Sequence, residues 1–164
     1  MGIFDLIQWL SDSETDYVLV GGLAVALHGY VRNTMDVDVV LAMDEKNLKR
    51  FIDGAKAAGL QPVAPVTIDS LADPELLDQW YREKGMLAFG LRGSEPQATV
   101  IDVLIRPVIS FSDLKRDAVS ITVGSSVIAV ASIDHLIAMK TGTGRGKDLI
   151  DIEELRRIKQ EGAP

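Results

Sequence analysis

Gly21-Gly22-Leu23-Ala24-Val25-Ala26-Leu27-His28-Gly29-Tyr30-Val31-Arg32-Asn33-Thr34-Met35-Asp36-Val37-Asp38-Val39-Val40 is the stretch that decides how this chain is read. A glycine pair ends the apolar run Tyr17-Val18-Leu19-Val20, which reads as a short buried strand. Leu23 to His28 reads as a short helix stopped by Gly29. A polar loop follows, and two carboxylates spaced i, i+2 then open the apolar run Asp36 to Ala42. Residues i and i+2 of a strand point to one face. Asp36 and Asp38 therefore share a face of a strand whose other members, Val37, Val39 and Val40, are apolar. Two carboxylates held there repel each other and lose hydration, and a divalent cation relieves both costs. The competing reading is a strand end at which both aspartates face water. Gly21 and Gly22 sit between a strand and a helix start. Lack of a Cβ lets backbone approach a ligand closely there, and the N–H groups of a helix start favour an anion. The alternative is a plain tight turn.

Working outward, Asp102 lies within Thr99-Val100-Ile101-Asp102-Val103-Leu104-Ile105. An Asp in the middle of such a run is costly unless it is paired, metal-bound or on a solvated edge. Beside the Asp36/Asp38 strand it would complete a set of three acidic ligands, enough for one or two magnesium ions with positions left for phosphate oxygens and water. A separation from Asp38 beyond about 8 Å would exclude a shared cluster, whose ions stand ~4 Å apart. Ile133, Leu136, Ile137 and Lys140 are spaced i, i+3, i+4, i+7, which puts Lys140 on an apolar helix face. It either snorkels to water or reaches a nucleotide at a cleft. Arg145 and Lys147 are loop cations that could bind phosphate. Arg32 could do the same, and Thr34 could orient an aspartate; ordinary loop polarity is the alternative for both. Asp148 and Asp151 suit the positive end of the last helix, with Asp148 in reach of Lys140 or Arg145. His28 and His135 read as structural.

The remaining elements follow from periodicity and punctuation. Ile3 to Leu10 is a one-faced helix. Asp44 caps a helix with Leu48, Phe51, Ile52 and Ala55 on one face, stopped by Gly59. Gln61 to Val66 reads as an edge strand interrupted by Pro62 and Pro65. Asp73-Pro74-Glu75 starts a helix that runs to Gly85. Met86 to Leu91 and Ala98 to Ile105 are strands, and Ser112 to Ala118 makes one or two helical turns. Val119 to Val123 and Val127 to Ala131 form a hairpin about Gly124-Ser125-Ser126. Ser132 caps a helix to about Thr141. The last helix runs from Lys147 to about Gln160 with Leu149, Ile152, Leu155 and Ile158 inward. The expected class is α/β (α+β): a mixed sheet with flanking helices and short C-terminal helices. With 164 residues and no linker or repeat, residues 1–164 form one domain.

Hydrophobic residues make up 47% and charged residues 25%, against disorder. There is no cysteine, so disulfides and thiolate metal sites are excluded, and two histidines are too few for a histidine cage. A metal here would sit on carboxylates, which points to Mg2+ or Mn2+. The net charge of −7 argues against a broad basic surface for long nucleic acids. No signal peptide or membrane span is visible, so no membrane partner and a cytoplasmic location are expected.

Val20-Gly21-Gly22, Asp36-Val37-Asp38 and Asp102 together resemble the nucleotidyltransferase superfamily that includes DNA polymerase beta and kanamycin nucleotidyltransferase. Its signature is an apolar residue, Gly, then Gly or Ser, a gap of roughly ten residues, Asp-x-Asp or Asp-x-Glu, and a later carboxylate on a neighbouring strand. The longer form GGLAVALHGYVRNTMDVDVVL, with Lys140, Arg145-Gly146-Lys147-Asp148 and Asp151 to Leu155, looks most like the small bacterial branch of abortive-infection toxin nucleotidyltransferases. The resemblance implies the nucleotidyltransferase fold and transfer of a nucleoside monophosphate from a nucleoside triphosphate to an acceptor hydroxyl. The acceptor is left open among RNA, protein and small molecule. Asp36, Asp38 and Asp102 would be catalytic and hold Mg2+ or Mn2+. Gly21, Gly22, Arg32, Thr34, Lys140 and Arg145 would bind nucleotide and phosphate. Gly22 departs from the Ser of many members and offers only its N–H. Larger relatives append a helical domain that completes the substrate site, which leaves a homodimer or a partner protein open here. The alternative is a catalytically inactive nucleotide- or partner-binding module on the same fold, as in a toxin–antitoxin or regulatory pair.

Overall fold

The computed structural model describes residues 1–31, 33–34, 36–141 and 145–162. Among them the order is α1 (Ile3–Asp12), β1 (Tyr17–Val20), α2 (Gly21–Leu27), β2 (Asp36–Leu41), α3 (Glu45–Ala57), β3 (Gln61–Pro62), a 3-10 turn (Ile68–Ala72), α4 (Pro74–Lys84), β4 (Ala88–Arg92), β5 (Val100–Leu104), α5 (Phe111–Asp117), β6 (Val119–Val123), β7 (Ser126–Val130), α6 (Ile133–Lys140) and α7 (Gly146–Gln160). The strands form one mixed sheet in the order β3-β4-β5-β2-β1-β7-β6. The β1–β7 and β2–β5 pairs are parallel and the rest antiparallel. The α/β class with a mixed sheet and helical cover is thus observed. No helix among the described residues is long and apolar enough to cross a membrane.

The helix boundaries follow local chemistry. Asp44, Asp73, Ser110 and Ser132 each accept a hydrogen bond from a backbone N–H three residues on, which satisfies one open donor per helix. α4 ends where Gly85 takes the left-handed conformation, at φ +65°. Two expectations need adjusting. The edge strand foreseen over residues 61–66 is only Gln61–Pro62, followed by a single further bond from Val63 N–H to Gly90 O at 2.9 Å. Pro65 has no N–H to continue the ladder, so the chain bends away. The 3-10 turn at Ile68–Ala72 has no periodic signature in the sequence.

The core is continuous. Val37, Val39, Leu41, Ile101, Val103 and Leu19 on the central strands are buried. α1 adds Leu6, Ile7 and Leu10, and Trp9 meets Phe51 of α3 edge to face with centroids 5.4 Å apart. A polar side chain beside the site-bearing strands is built into this interior. Asn47, 3% exposed, accepts from Asp16 N–H at 2.8 Å and donates to Asp16 O at 2.9 Å and Ala42 O at 2.8 Å. It ties the entry of β1 to the exit of β2 and so helps to hold the strand pair that carries the site. Asn47→Ala removes three side-chain hydrogen bonds to backbone groups and is expected to cost about 2–4 kcal/mol in urea denaturation, with Asn47→Asp recovering little of it because a carboxylate cannot donate.

Candidate active site

The sheet gathers the three acidic residues. β2 and β5 are parallel in a register that sets Asp38 beside Asp102 and Asp36 beside Val100. Adjacent strands are ~4.8 Å apart and register neighbours face the same side. The separation therefore lies inside the limit for sharing an ion, and the solvated-edge reading of Asp102 is set aside: β5 is an interior strand, flanked by β2 and β4. Asp36, at the start of β2, is exposed, whereas Asp38 and Asp102 are half-buried.

Glycines make room on both flanks. Val20 pairs with Asp38 at the end of β1, and the chain turns directly into α2. Gly21 has φ +73°, and a Cβ there would strike the Asp38 carboxylate, with Cγ at 2.9 Å and Cβ at 3.0 Å. Backbone conformation and carboxylate packing both demand glycine at this position. On the far side Gly90 of β4 is the register partner of Asp102, and a Cβ there would lie 3.0 Å from Asp102 Oδ1. The sequence pointed to Gly21 but not to Gly90. The usable signal was a lone glycine inside a strand, which marks close approach.

A cleft of about 360 Å³ opens over these groups. Val20, Gly21, Gly22, Asp36 and Asp38 line one side, and Lys140, Arg145 and Lys147 line the other. Lys140 does not snorkel. Its side chain is 11% exposed, and its Nζ lies 3.2 Å from Asp148 Oδ1 and 2.9 Å from Asp151 Oδ2, both of them aspartates with 1% exposure. Arg145 Nε donates to Asp148 Oδ2 at 2.7 Å. The inward face of α7 differs from expectation as a result. Ile152 and Leu155 are buried as foreseen, but Leu149 is 58% exposed and Asp148 and Asp151 point inward. A buried ammonium needs opposite charge, and three-residue spacing places both carboxylates on one helix face. That spacing could have revealed Asp151 in the sequence.

Other expected residues lie elsewhere. Thr34 borders a separate depression with Ile3, Gln97, Ala98 and Thr99. Arg32 lies outside the described residues. His28 Nε2 donates to Ala131 O at 2.8 Å, joining the end of α2 to the end of β7, and is structural as expected. His135 sits 3.6 Å from Asp117 and does not line the cleft.

The electrostatics record the crowding. Burial first, then the charges of Asp102 and Asp36, push the Asp38 carboxyl up to about 6, while Lys140 and Lys147 pull it the other way. Burial and the charge of Asp36 raise Asp102 as well. Among the described residues no cation forms an ion pair with Asp36, Asp38 or Asp102. The donor set is all oxygen and, among the described residues, its negative charge has no ion-pair partner, which suits a hard divalent cation. No ready cage of three or more acidic or histidine ligands stands among the described residues. Magnesium does not require one, since it is commonly held by one or two carboxylates plus substrate phosphates.

No protein-family model matches the sequence, and no curated protein matches it. Solved structures do match. The lincosamide antibiotic adenylyltransferase LnuA, with lincomycin bound, is similar over 95% of both chains, with a TM-score of 0.61 and 15% identity. An antigenic nucleotidyltransferase-like protein from Paracoccidioides brasiliensis is similar over 98% of this chain and 74% of its own, with a TM-score of 0.57 and 17% identity. JHP933 from Helicobacter pylori is similar over 96% and 65%, with a TM-score of 0.54 and 17% identity. The chain has the nucleotidyltransferase fold. At these identities the similarity speaks for the fold, and the chemistry of the nucleotidyltransferase-fold cleft has to be argued from its own residues.

Two outcomes test this geometry. Gly21→Ala is expected to destabilise by at least about 2 kcal/mol more than Gly124→Ala, because both glycines have positive φ but only Gly21 faces a carboxylate; paired denaturation curves give the difference. Asp38 binds its proton more tightly folded than unfolded, so its contribution to stability declines as pH rises from about 4 to about 6 and stays low above that. Asp38→Asn, with chelator present, should therefore be more stable than the parent at pH 7.5, by on the order of 2 kcal/mol, and lose that advantage near pH 4.

Proposed function

We propose that this chain is a metal-dependent nucleotidyltransferase that moves a nucleoside monophosphate from a nucleoside triphosphate to an acceptor hydroxyl. The observation that carries the reading is the β2–β5 register, which sets Asp102 beside Asp38, itself a wall of the cleft that Lys140, Arg145 and Lys147 also line. Asp36, Asp38 and Asp102 would hold Mg2+ or Mn2+, which would supply positive charge against the triphosphate. The backbone of Gly21 and Gly22, together with Arg145 and Lys147, borders the cleft where phosphate oxygens would lie. Lys140 is held by Asp148 and Asp151 and contributes a fixed positive field toward the carboxylates.

In the transfer step the acceptor hydroxyl gives its proton to Asp102, whose basicity is raised by burial and by the Asp36 charge. The acceptor oxygen forms a bond to the α-phosphorus. The bond from that phosphorus to the oxygen bridging to the β-phosphate breaks, and pyrophosphate leaves with the electron pair. Positioning and charge do most of the work, as in phosphoryl transfer generally. LnuA, which shares the fold, is a lincosamide adenylyltransferase seen with lincomycin bound, and this supports a small-molecule acceptor as one of the open classes.

The test is calorimetry of each of the four nucleoside triphosphates with magnesium, followed by transfer of an α-phosphate label. Asp36→Ala with Asp38→Ala is expected to lower nucleotide affinity in magnesium at least about tenfold and to abolish transfer. Unchanged binding would falsify the site. Binding without transfer to RNA, protein or small-molecule pools would favour the nucleotide-binding module instead.

A further inference from the structure

Asp38 lines the polar cleft, and its register neighbour Asp102 lines a depression of its own. This second pocket, of about 250 Å³, lies under the bend that follows β3. Its walls include Val63, Val66, Met86, Ala88 and Val100, and among the described residues Asp102 is its one ionisable lining group. The register explains the layout. Gly90, Asp102 and Asp38 are consecutive register neighbours across β4, β5 and β2, so all three face one side of the sheet. Ala88 and Val100, each two residues from a member of that row, share the face. The pocket, lined by Asp102, and the polar cleft, lined by its register neighbour Asp38, therefore open on one face of the sheet.

We propose that this pocket binds the acceptor, and that the acceptor is a compact, uncharged molecule with an apolar body and one hydroxyl directed at Asp102. The inference rests on the transferase reading above and adds the substrate class to it. Three observations carry it. The walls are apolar, and among the described residues no hydrogen-bonding side chain besides Asp102 lines them, so a ribose or a sugar would lose hydration there without replacement. The volume suits a ring of modest size and not a stacked polynucleotide end. Among the described residues the only charge lining it is negative, on a chain of net charge −7, which disfavours a phosphate-bearing acceptor. Val63 on the wall is 54% exposed, an apolar side chain that a bound molecule would cover. Gly90 keeps the passage open: a Cβ there would lie 3.0 Å from Asp102 Oδ1 and 3.3 Å from Val63 Cγ2. The hydroxyl at the Asp102 end is the one that attacks, and bonds form and break as written for the transfer.

The test titrates the full chain with cyclohexanol and benzyl alcohol, with glycerol and a short RNA oligonucleotide as polar comparisons, following methyl NMR signals. Nucleotide binding is measured on the same preparation, and label transfer is assayed to each compound. The expected result is that signals of Val63, Val66, Met86 and Ala88 shift with the two apolar alcohols and not with glycerol, and that label passes to an alcohol. Ala88→Phe, which fills the pocket, should weaken alcohol binding about tenfold or more. If Ala88→Phe does not fold, Val63→Gln, at an exposed position, is expected to weaken it severalfold. Nucleotide binding without alcohol binding overturns the pocket assignment and leaves the transferase reading standing. Loss of nucleotide binding in the unmodified chain overturns both. Label transfer to RNA that neither substitution reduces overturns the apolar-acceptor class.

Discussion

The contact between Gly21 and the Asp38 carboxylate is the constraint on which the cleft depends. β1 ends at Val20, directly opposite Asp38, and α2 begins without an intervening loop. The turn between them has to pass over a carboxylate. Only a residue without a Cβ can make that passage, and only a backbone able to adopt positive φ can make that turn. With Asp38 held there, the parallel register of β2 and β5 sets Asp102 next to it, and Gly90 makes room for Asp102 from the other side. Val20, Asp38, Asp102 and Gly90 thus form one row across four strands, with Gly21 packed on Asp38 and Gly90 on Asp102.

Such a row opposes stability. Asp38 and Asp102 are partly removed from water, and each is made harder to ionise by burial and by acidic neighbours. A protein selected only for stability would place Val or Ile at these positions, as it does at Val37, Val39, Ile101 and Val103 on the same strands. The energy is held in a geometry that a divalent cation and a polyphosphate would relieve. Across the cleft the opposite strategy applies. Lys140 is buried but fully compensated by Asp148 and Asp151, which fixes its position at the cost of two more buried charges. One wall therefore carries charge that has no ion-pair partner among the described residues and the other carries charge held in place, a division suited to binding a ligand with its own counter-ion.

Much of this was legible in the chain. Strong punctuation fixed the elements: Gly21, Gly59, Gly85 and Gly124 ended or turned segments where the structure ends or turns them, and Asp44, Asp73 and Ser132 capped the helices they precede. The i, i+2 carboxylates were readable because strand geometry is local. The misreadings have a common cause. Leu149 was expected inward because apolar periodicity was followed, whereas pairing with Lys140, eight residues before Asp148, brings Asp148 and Asp151 inward beside Ile152 and Leu155 and leaves Leu149 outside. The edge strand over residues 61–66 was read as interrupted by Pro62 and Pro65, but the ladder ends at Pro62 instead of resuming between the prolines.

The sequence by itself determined which residues are chemically expensive: two aspartates on one strand face, a third in an apolar run, and a lysine on an apolar stripe. Each is a local statement about burial, and local patterns suffice for it. Only the tertiary structure decided that these costs fall in one place. The parallel pairing of β2 with β5, two elements more than sixty residues apart, set Asp38 beside Asp102. The packing of α6 on α7 converted Lys140 from a candidate ligand-seeking side chain into a fixed charge. The bend after Pro62 placed an apolar pocket on the outer side of Asp102. Strand register and the burial of a counter-ion depend on contacts between distant segments, and no local pattern encodes them.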